Sequence, residues 1–136
     1  MAFLLAVAAL FTSPAEIPGD VWNCRNQLEV WCSADGCAAA APGEFTPMDV
    51  WARASGAMSV CAYTGCWEAD GAVARANGRI VWTAQDVSFS TADKTASGGD
   101  MTLLIIEKDG VGFVRVGGFA TPLLCSRAAP ARQPGE

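Results

Sequence analysis

The densest chemistry in this chain is its six cysteines, four of which form two matching clips, Cys32-Ser-Ala-Asp-Gly-Cys37 and Cys61-Ala-Tyr-Thr-Gly-Cys66. Cys24 and Cys125 stand near the two ends of the region that follows an apolar leader. Thiols so arranged have three uses. They can bridge as disulfides, four thiolates can build a tetrahedral zinc site, and one reactive pair can exchange disulfides. Zinc pairs and oxidoreductase centres both favour a two-residue spacer, whereas each clip has four. An even cysteine count in a small exported domain reads as a disulfide framework. Spacing alone leaves the connectivity open; the preferred set is Cys32–Cys37, Cys61–Cys66 and Cys24–Cys125, with the last as the global staple and the clips shaping local loops.

Other catalytic chemistry is limited by what is missing. The chain has no histidine, so it has no Ser-His or Cys-His pair, no imidazole base and no imidazole metal ligand. Lys94 and Lys108 remain as bases, but neither lies in an S-x-x-K motif. Glu68 and Asp70 are spaced to share one strand face, as a glycosidase carboxylate pair would, although two solvated charges beside an Asp70-Gly71 turn is the plainer reading. Asp86, Asp93 and Asp100 do not follow the calcium-loop pattern and read as loop solubilisers. No phosphate-cradling glycine motif occurs. The expectation is a protein that binds rather than catalyses, with no cofactor and no metal; a structural component of the cell envelope is the alternative, and a carboxylate-based hydrolase a lesser one.

Residues Ala2 to Phe11 are apolar and Ser13-Pro14-Ala15 supplies the small residues of a signal-peptidase site, so residues 1–15 read as a signal peptide. The run is shorter than the ~20 residues of a membrane-spanning helix, which predicts no anchor after cleavage. A periplasmic or secreted domain follows, over residues 16–126, with a disordered tail over 127–136. The net charge of −5 and only nine Lys and Arg residues leave no basic stripe for phosphates, so nucleic acid is not an expected partner.

Turn chemistry predicts the elements that position these residues. Asn77-Gly78 separates Ala72–Ala76 from Arg79–Thr83, and Asp109-Gly110 separates Met101–Lys108 from Val111–Val116; both are two-residue hairpin signals. Asp35-Gly36 and Ser55-Gly56 mark further turns, and Gly117-Gly118 reads as a strand kink or bulge. Residues 46–56 carry both a helix start at Thr46-Pro47 and a strand pattern over Met48–Arg53; the strand is favoured, because two helical turns are marginal alone. The fold class is therefore all-β, a small antiparallel meander closed as a barrel or sandwich. A two-residue turn at Asp109-Gly110 sets Ile105 opposite Val114 and Leu103 opposite Val116, pointing into the core. Leu104, Ile106, Phe113 and Arg115 then share the other face, too apolar to be simply wet. A second layer of the same domain is the expected cover, a partner surface the alternative.

The tryptophans are the best candidates for recognition. Trp31 and Trp67 neighbour clip cysteines, while Trp22, Trp51 and Trp82 lie in predicted strands. Rigidly held aromatics offer contact area at small entropic loss, so the second clip is expected to display Tyr63 and Trp67, with Trp31 beside the first. Stacking on a disulfide in a small core is the competing use. Met58-Ser-Val-Cys-Ala-Tyr-Thr-Gly-Cys-Trp-Glu68, with Gly117-Gly-Phe-Ala-Thr-Pro-Leu-Leu-Cys125, resembles a family of small uncharacterised exported bacterial proteins. The layout of Trp22-Asn-Cys24 and a closing Cys125 is also similar to that of the C-type lysozyme inhibitors, small β-barrels. No functional residue carries over from either. The expected partner is an unknown protein or glycan in the envelope or outside the cell.

Overall fold

The computed structural model describes residues 21–96 and 98–128. The expected signal segment and residues 129–136 lie outside them. Every regular element described is a strand. β1 (Val21–Arg25) is followed by a hairpin of β2 (Val30–Ser33) and β3 (Gly36–Ala39), then by the meander β4 (Asp49–Arg53), β5 (Ala57–Ala62) and β6 (Gly65–Asp70). β7 (Ala72–Ala76) and β8 (Arg79–Ala84) form the next hairpin. A short pair, β9 (Phe89–Thr91) and β10 (Thr95–Ala96), leads into β11 (Met101–Ile106), β12 (Val111–Val116) and β13 (Phe119–Arg127).

These strands make one antiparallel sheet in the order β10-β9-β6-β5-β4-β1-β13-β12-β11-β8-β7, with β2 added to β13 and β3 to β2. The sheet curls into a half-barrel. One chain run serves both ends of this order, because β6, between β5 and the β9–β10 pair, is followed one residue later by β7, the opposite margin, which pairs with β8. The bend is at Gly71, whose N–H donates to the Gly56 carbonyl at 3.0 Å. A Cβ there would lie 2.5 Å from the Thr83 carbonyl oxygen, so only glycine lets the run pass this close.

All three disulfides are the expected ones, Cys24–Cys125, Cys32–Cys37 and Cys61–Cys66, and each joins residues opposite one another on paired strands. Alternation puts Leu103, Ile105, Val114 and Val116 in the core with Trp82, Met58 and Met101. The Trp82 indole N–H donates to the Arg53 carbonyl at 2.7 Å. Elsewhere the Glu107 carboxylate takes ion pairs from Arg75 and Arg127, and the Arg127 guanidinium lies 5.1 Å from the centre of the Trp22 ring.

Residues 46–56 contain a strand, as favoured: β4 turns at Ser55-Gly56 into β5. Four other expectations are corrected. The β11–β12 turn has four residues rather than two, with Gly110 N–H donating to the Ile106 carbonyl, so Leu103 faces Val114 and Ile105 faces Gly112. The shift from the expected pairing is two residues, which changes partners but keeps every side chain on its expected face. Gly117-Gly118 is not a kink but a two-residue turn, with Val116 opposite Phe119 and φ of 55° and 92°. The tail does not begin at Arg127, which ends β13, and Ala128 N–H still donates to the Val21 carbonyl. Finally, no second layer among the described residues covers Leu104, Ile106, Phe113 and Arg115.

Cys24–Cys125 spans 101 residues and each clip spans five. Loop closure makes the long bridge worth about 4–5 kcal/mol and a clip about 2 kcal/mol. Replacing Cys24 and Cys125 by serine should therefore lower the unfolding free energy at least twice as much as replacing Cys32 and Cys37. Equilibrium denaturant unfolding checks this, and equal losses would contradict the assignment of the long bridge as the global staple.

Candidate functional site

Both clips and the Gly117-Gly118 turn meet around Phe119. The first clip hangs on β13 where Trp31 of β2 pairs with Phe119, and Cys32 N–H donates to the Gly118 carbonyl at 3.0 Å. The Thr121 hydroxyl fastens the same junction, donating to the Val30 carbonyl at 3.0 Å and accepting from Val30 N–H. From the second clip come Tyr63 and Trp67. The Phe119 ring centre lies 5.9 Å from that of Tyr63 and 6.0 Å from that of Trp67. Trp67 also packs at 4.4 Å on Phe89. Gly117 lies against the Trp67 ring, and a Cβ at that residue would come within 2.4 Å of Cζ2.

The expected site residues thus come together, but not in the same role. Trp67 is only 6% exposed and serves the core, so the second clip does not display it. Tyr63 is 63% exposed and Trp31 is 37% exposed. Tyr63 takes a left-handed backbone conformation, φ 57°, in the two-residue turn that the clip closes. Trp31 borders a shallow groove of about 410 Å³ along the first clip, with Asp35 on its lining.

A buried polar network stands behind Tyr63. Glu29, 2% exposed, accepts the Tyr63 hydroxyl on Oε1 at 3.0 Å and the Thr46 N–H on Oε2. Asn26 Nδ2 donates to the Leu28 and Thr46 carbonyls, both at 2.9 Å, and Oδ1 accepts Met48 N–H at 2.7 Å. The Glu29 carboxylate is therefore satisfied by a hydroxyl and an amide, and among the described residues no cation pairs with it. Buried polar groups persist only when paired in this way. The sequence reading missed Glu29, Asn26 and Phe119. Asn26-Gln-Leu-Glu29 reads locally as an ordinary polar turn, and nothing in its spacing points to residue 46 or 63.

A second concavity lies where β6 and β8 diverge from the Gly71 bend. This cleft of about 730 Å³ is lined by Glu68, Asp70 and Asp86, with Thr83, Gln85 and Ser88 between them. The sequence pairs Glu68 with Asp70 on one strand face, and the fold adds Asp86. Among the described residues no three His, Cys, Asp or Glu side chains are grouped to hold a metal ion. All six cysteines are joined in bridges, so in this oxidised form none offers a thiolate to a zinc ion.

Compared with protein-family models, curated proteins and solved structures, the chain matches none of them.

Two substitutions test the support of this site. Tyr63→Phe leaves the Glu29 carboxylate one donor short and should cost about 1–2 kcal/mol, although the residue removed is mostly exposed. Gly117→Ala meets both a positive φ and the Trp67 ring, and should cost more than about 2 kcal/mol. Urea unfolding followed by Trp fluorescence measures both. A Tyr63→Phe protein as stable as the parent would mean that the hydroxyl does not hold the loop.

Proposed function

We propose that the protein is a small exported binding module whose contact surface is the end of the half-barrel carrying both clips, with Tyr63 and Trp31 as its anchors. One observation carries this reading. Tyr63 is exposed, yet its backbone is closed by a disulfide, its hydroxyl is held by a buried carboxylate and its ring leans on Phe119. A large aromatic surface fixed before contact loses little entropy on binding, which is the property shared by interface anchors.

Three disulfides are consistent with an oxidising environment, and export to the periplasm or beyond is the reading that fits them. The layout likeness to lysozyme inhibitors supports a protein ligand, and the exposed aromatic pair supports a glycan equally well. Both remain within the proposal, as alternatives in one class of function.

A carboxylate-based hydrolase is the second reading, favoured only by the cleft of Glu68, Asp70 and Asp86. The two readings separate in one experiment. Oxidised protein is immobilised and presented with C-type lysozyme, soluble peptidoglycan fragments and a panel of glycans. Whichever probe binds should lose about thirtyfold or more in affinity with Tyr63→Ala combined with Trp31→Ala. It should bind normally to a Glu68→Gln, Asp70→Asn, Asp86→Asn protein. The reverse pattern, or turnover of a glycan that the cleft variant abolishes, would overturn the binding-module reading.

A further inference from the structure

Three strands end the sheet: β10 and β7 at the two ends of its main order, and β3 at the branch that carries the first clip. An edge strand exposes a row of unpaired main-chain donors and acceptors, and a charged side chain on it keeps other chains from adding to that row. Lys94 stands just before β10 and Arg75 lies on β7. β3 has no such guard, since no Lys or Arg occurs between Arg25 and Arg53. All four of its residues are exposed.

The ladder fixes which groups β3 presents. Ala40 N–H donates to the Glu29 carbonyl, whereas Val30 and Cys32 turn their main chains the other way, to the Thr121 hydroxyl and the Gly118 carbonyl. Antiparallel pairs alternate, so Val30–Ala39 and Cys32–Cys37 are the pairs without mutual hydrogen bonds. The N–H and C=O of Cys37 and Ala39 therefore point away from β2, and among the described residues nothing else pairs with them. Beside them runs the shallow groove lined by Trp31, Gly36, Ala38 and Asp35. Phe119, Trp31 and Ala38 form one row across β13, β2 and β3. The small Ala38 leaves the Trp31 ring open toward whatever lies next in that row.

We propose that β3 accepts a basic, extended peptide segment of the partner as an added strand. This rests on the clip-end contact surface proposed above and names its occupant as a polypeptide. Main-chain bonds to Cys37 and Ala39 hold the segment, as in other strand additions to an open edge. Charge selects its chemistry. Asp35 just before β3 and Glu44 at the end of the turn that follows it are exposed, and among the described residues neither has an ion pair. An arginine of the added strand, in the row with Ala38, meets the Trp31 ring across that alanine, where the ring's face attracts a guanidinium. A second copy of the chain, with its net charge of −5 and the same two carboxylates, is repelled from this edge.

The peptide acetyl-Thr-Lys-Val-Arg-Val-Lys-Thr-amide, titrated into the oxidised protein and followed by amide hydrogen exchange in NMR spectra, tests this. At saturation the amides of Cys37 and Ala39 should exchange at least about tenfold more slowly, with no change along β7. N-methylation of both valines, whose amides face β3 when the arginine lies in the Ala38 row, should weaken binding about tenfold or more. N-methylation of the arginine and one lysine, whose amides face away, should cost less than about threefold. Ala39→Pro removes an outward donor without touching the ladder to β2, and should weaken binding about tenfold with an unchanged near-ultraviolet circular dichroism spectrum. Should that variant disturb the fold, the methylated peptides still decide. Asp35→Lys with Glu44→Lys should weaken the parent peptide about tenfold, and Trp31→Ala about threefold. No binding at millimolar peptide, equal loss from the two methylated peptides, or protection at another edge would each overturn the proposal. So would Cys37 and Ala39 amides already protected in a parent that sediments as a dimer. A peptide that fails while C-type lysozyme or a glycan binds through Tyr63 and Trp31 overturns strand addition and leaves the clip-end reading standing. Failure of every probe overturns both.

Discussion

The structure depends first on the joint between its beginning and its end. Among the described residues β1 is the only strand that pairs with both β4 and β13, and Cys24–Cys125 crosses that joint at register-paired positions. Without it the sheet would separate into two smaller meanders, joined by the pairing of β2 with β13 and by the chain runs through Gly71 and through β9 and β10. Loop-closure entropy is the reason that a covalent bond sits here and not elsewhere. Pairing residues about a hundred positions apart is the costliest contact the chain has to form, and a bridge across the longest loop removes the most disorder from the unfolded chain. The fold then needs no second sheet to keep its ends together.

The two clips share a spacing and a geometry but do different work. Each bridges opposite residues of a tight hairpin. The first, on β2 and β3, is an appendage of β13, fastened by the Thr121 hydroxyl and by the Cys32 amide. The second lies within the main sheet, so its strand delivers Trp67 inward and its turn delivers Tyr63 outward. Alternation along β6 and the turn geometry at residue 63 are enough to explain why two neighbouring aromatics part company. Phe119 stands between them and touches both rings, which makes the turn at Gly117-Gly118 as important to this end of the molecule as the disulfides are.

Much of the fold was legible in local pattern. Asn77-Gly78 set a two-residue turn, Leu103, Ile105, Val114 and Val116 were assigned to the core, and Met48–Arg53 proved to be a strand as preferred. The failures were also local. Asp109-Gly110 reads locally as a two-residue turn and Gly117-Gly118 as a kink, since Gly dipeptides serve several turn lengths and the choice between them rests on how the flanking strands pair. The mistake at Asp109-Gly110 did no harm to the assignment of faces, because a slip of two residues preserves the strand's period. The outer apolar face reads as needing a cover, and no second layer among the described residues supplies one.

What the sequence determined by itself was the strand-forming alternation, the inward face of the β11–β12 hairpin and the cysteine spacings that make two short bridges possible. These are properties of residues within a few positions of one another, governed by backbone period and turn sterics. Only the tertiary structure decided that Glu29 would be buried beneath Tyr63, that Asp86 would join Glu68 and Asp70 in one cleft, and that Phe119 would be the residue on which both clips converge. Those contacts link positions from 16 to 88 residues apart. No local preference encodes them, because each exists only once the curl of the sheet has brought distant strands to the same end. The physical reason is the same in every case: polar groups and aromatic rings take their roles from what surrounds them, and the surroundings are made by the closure of the sheet.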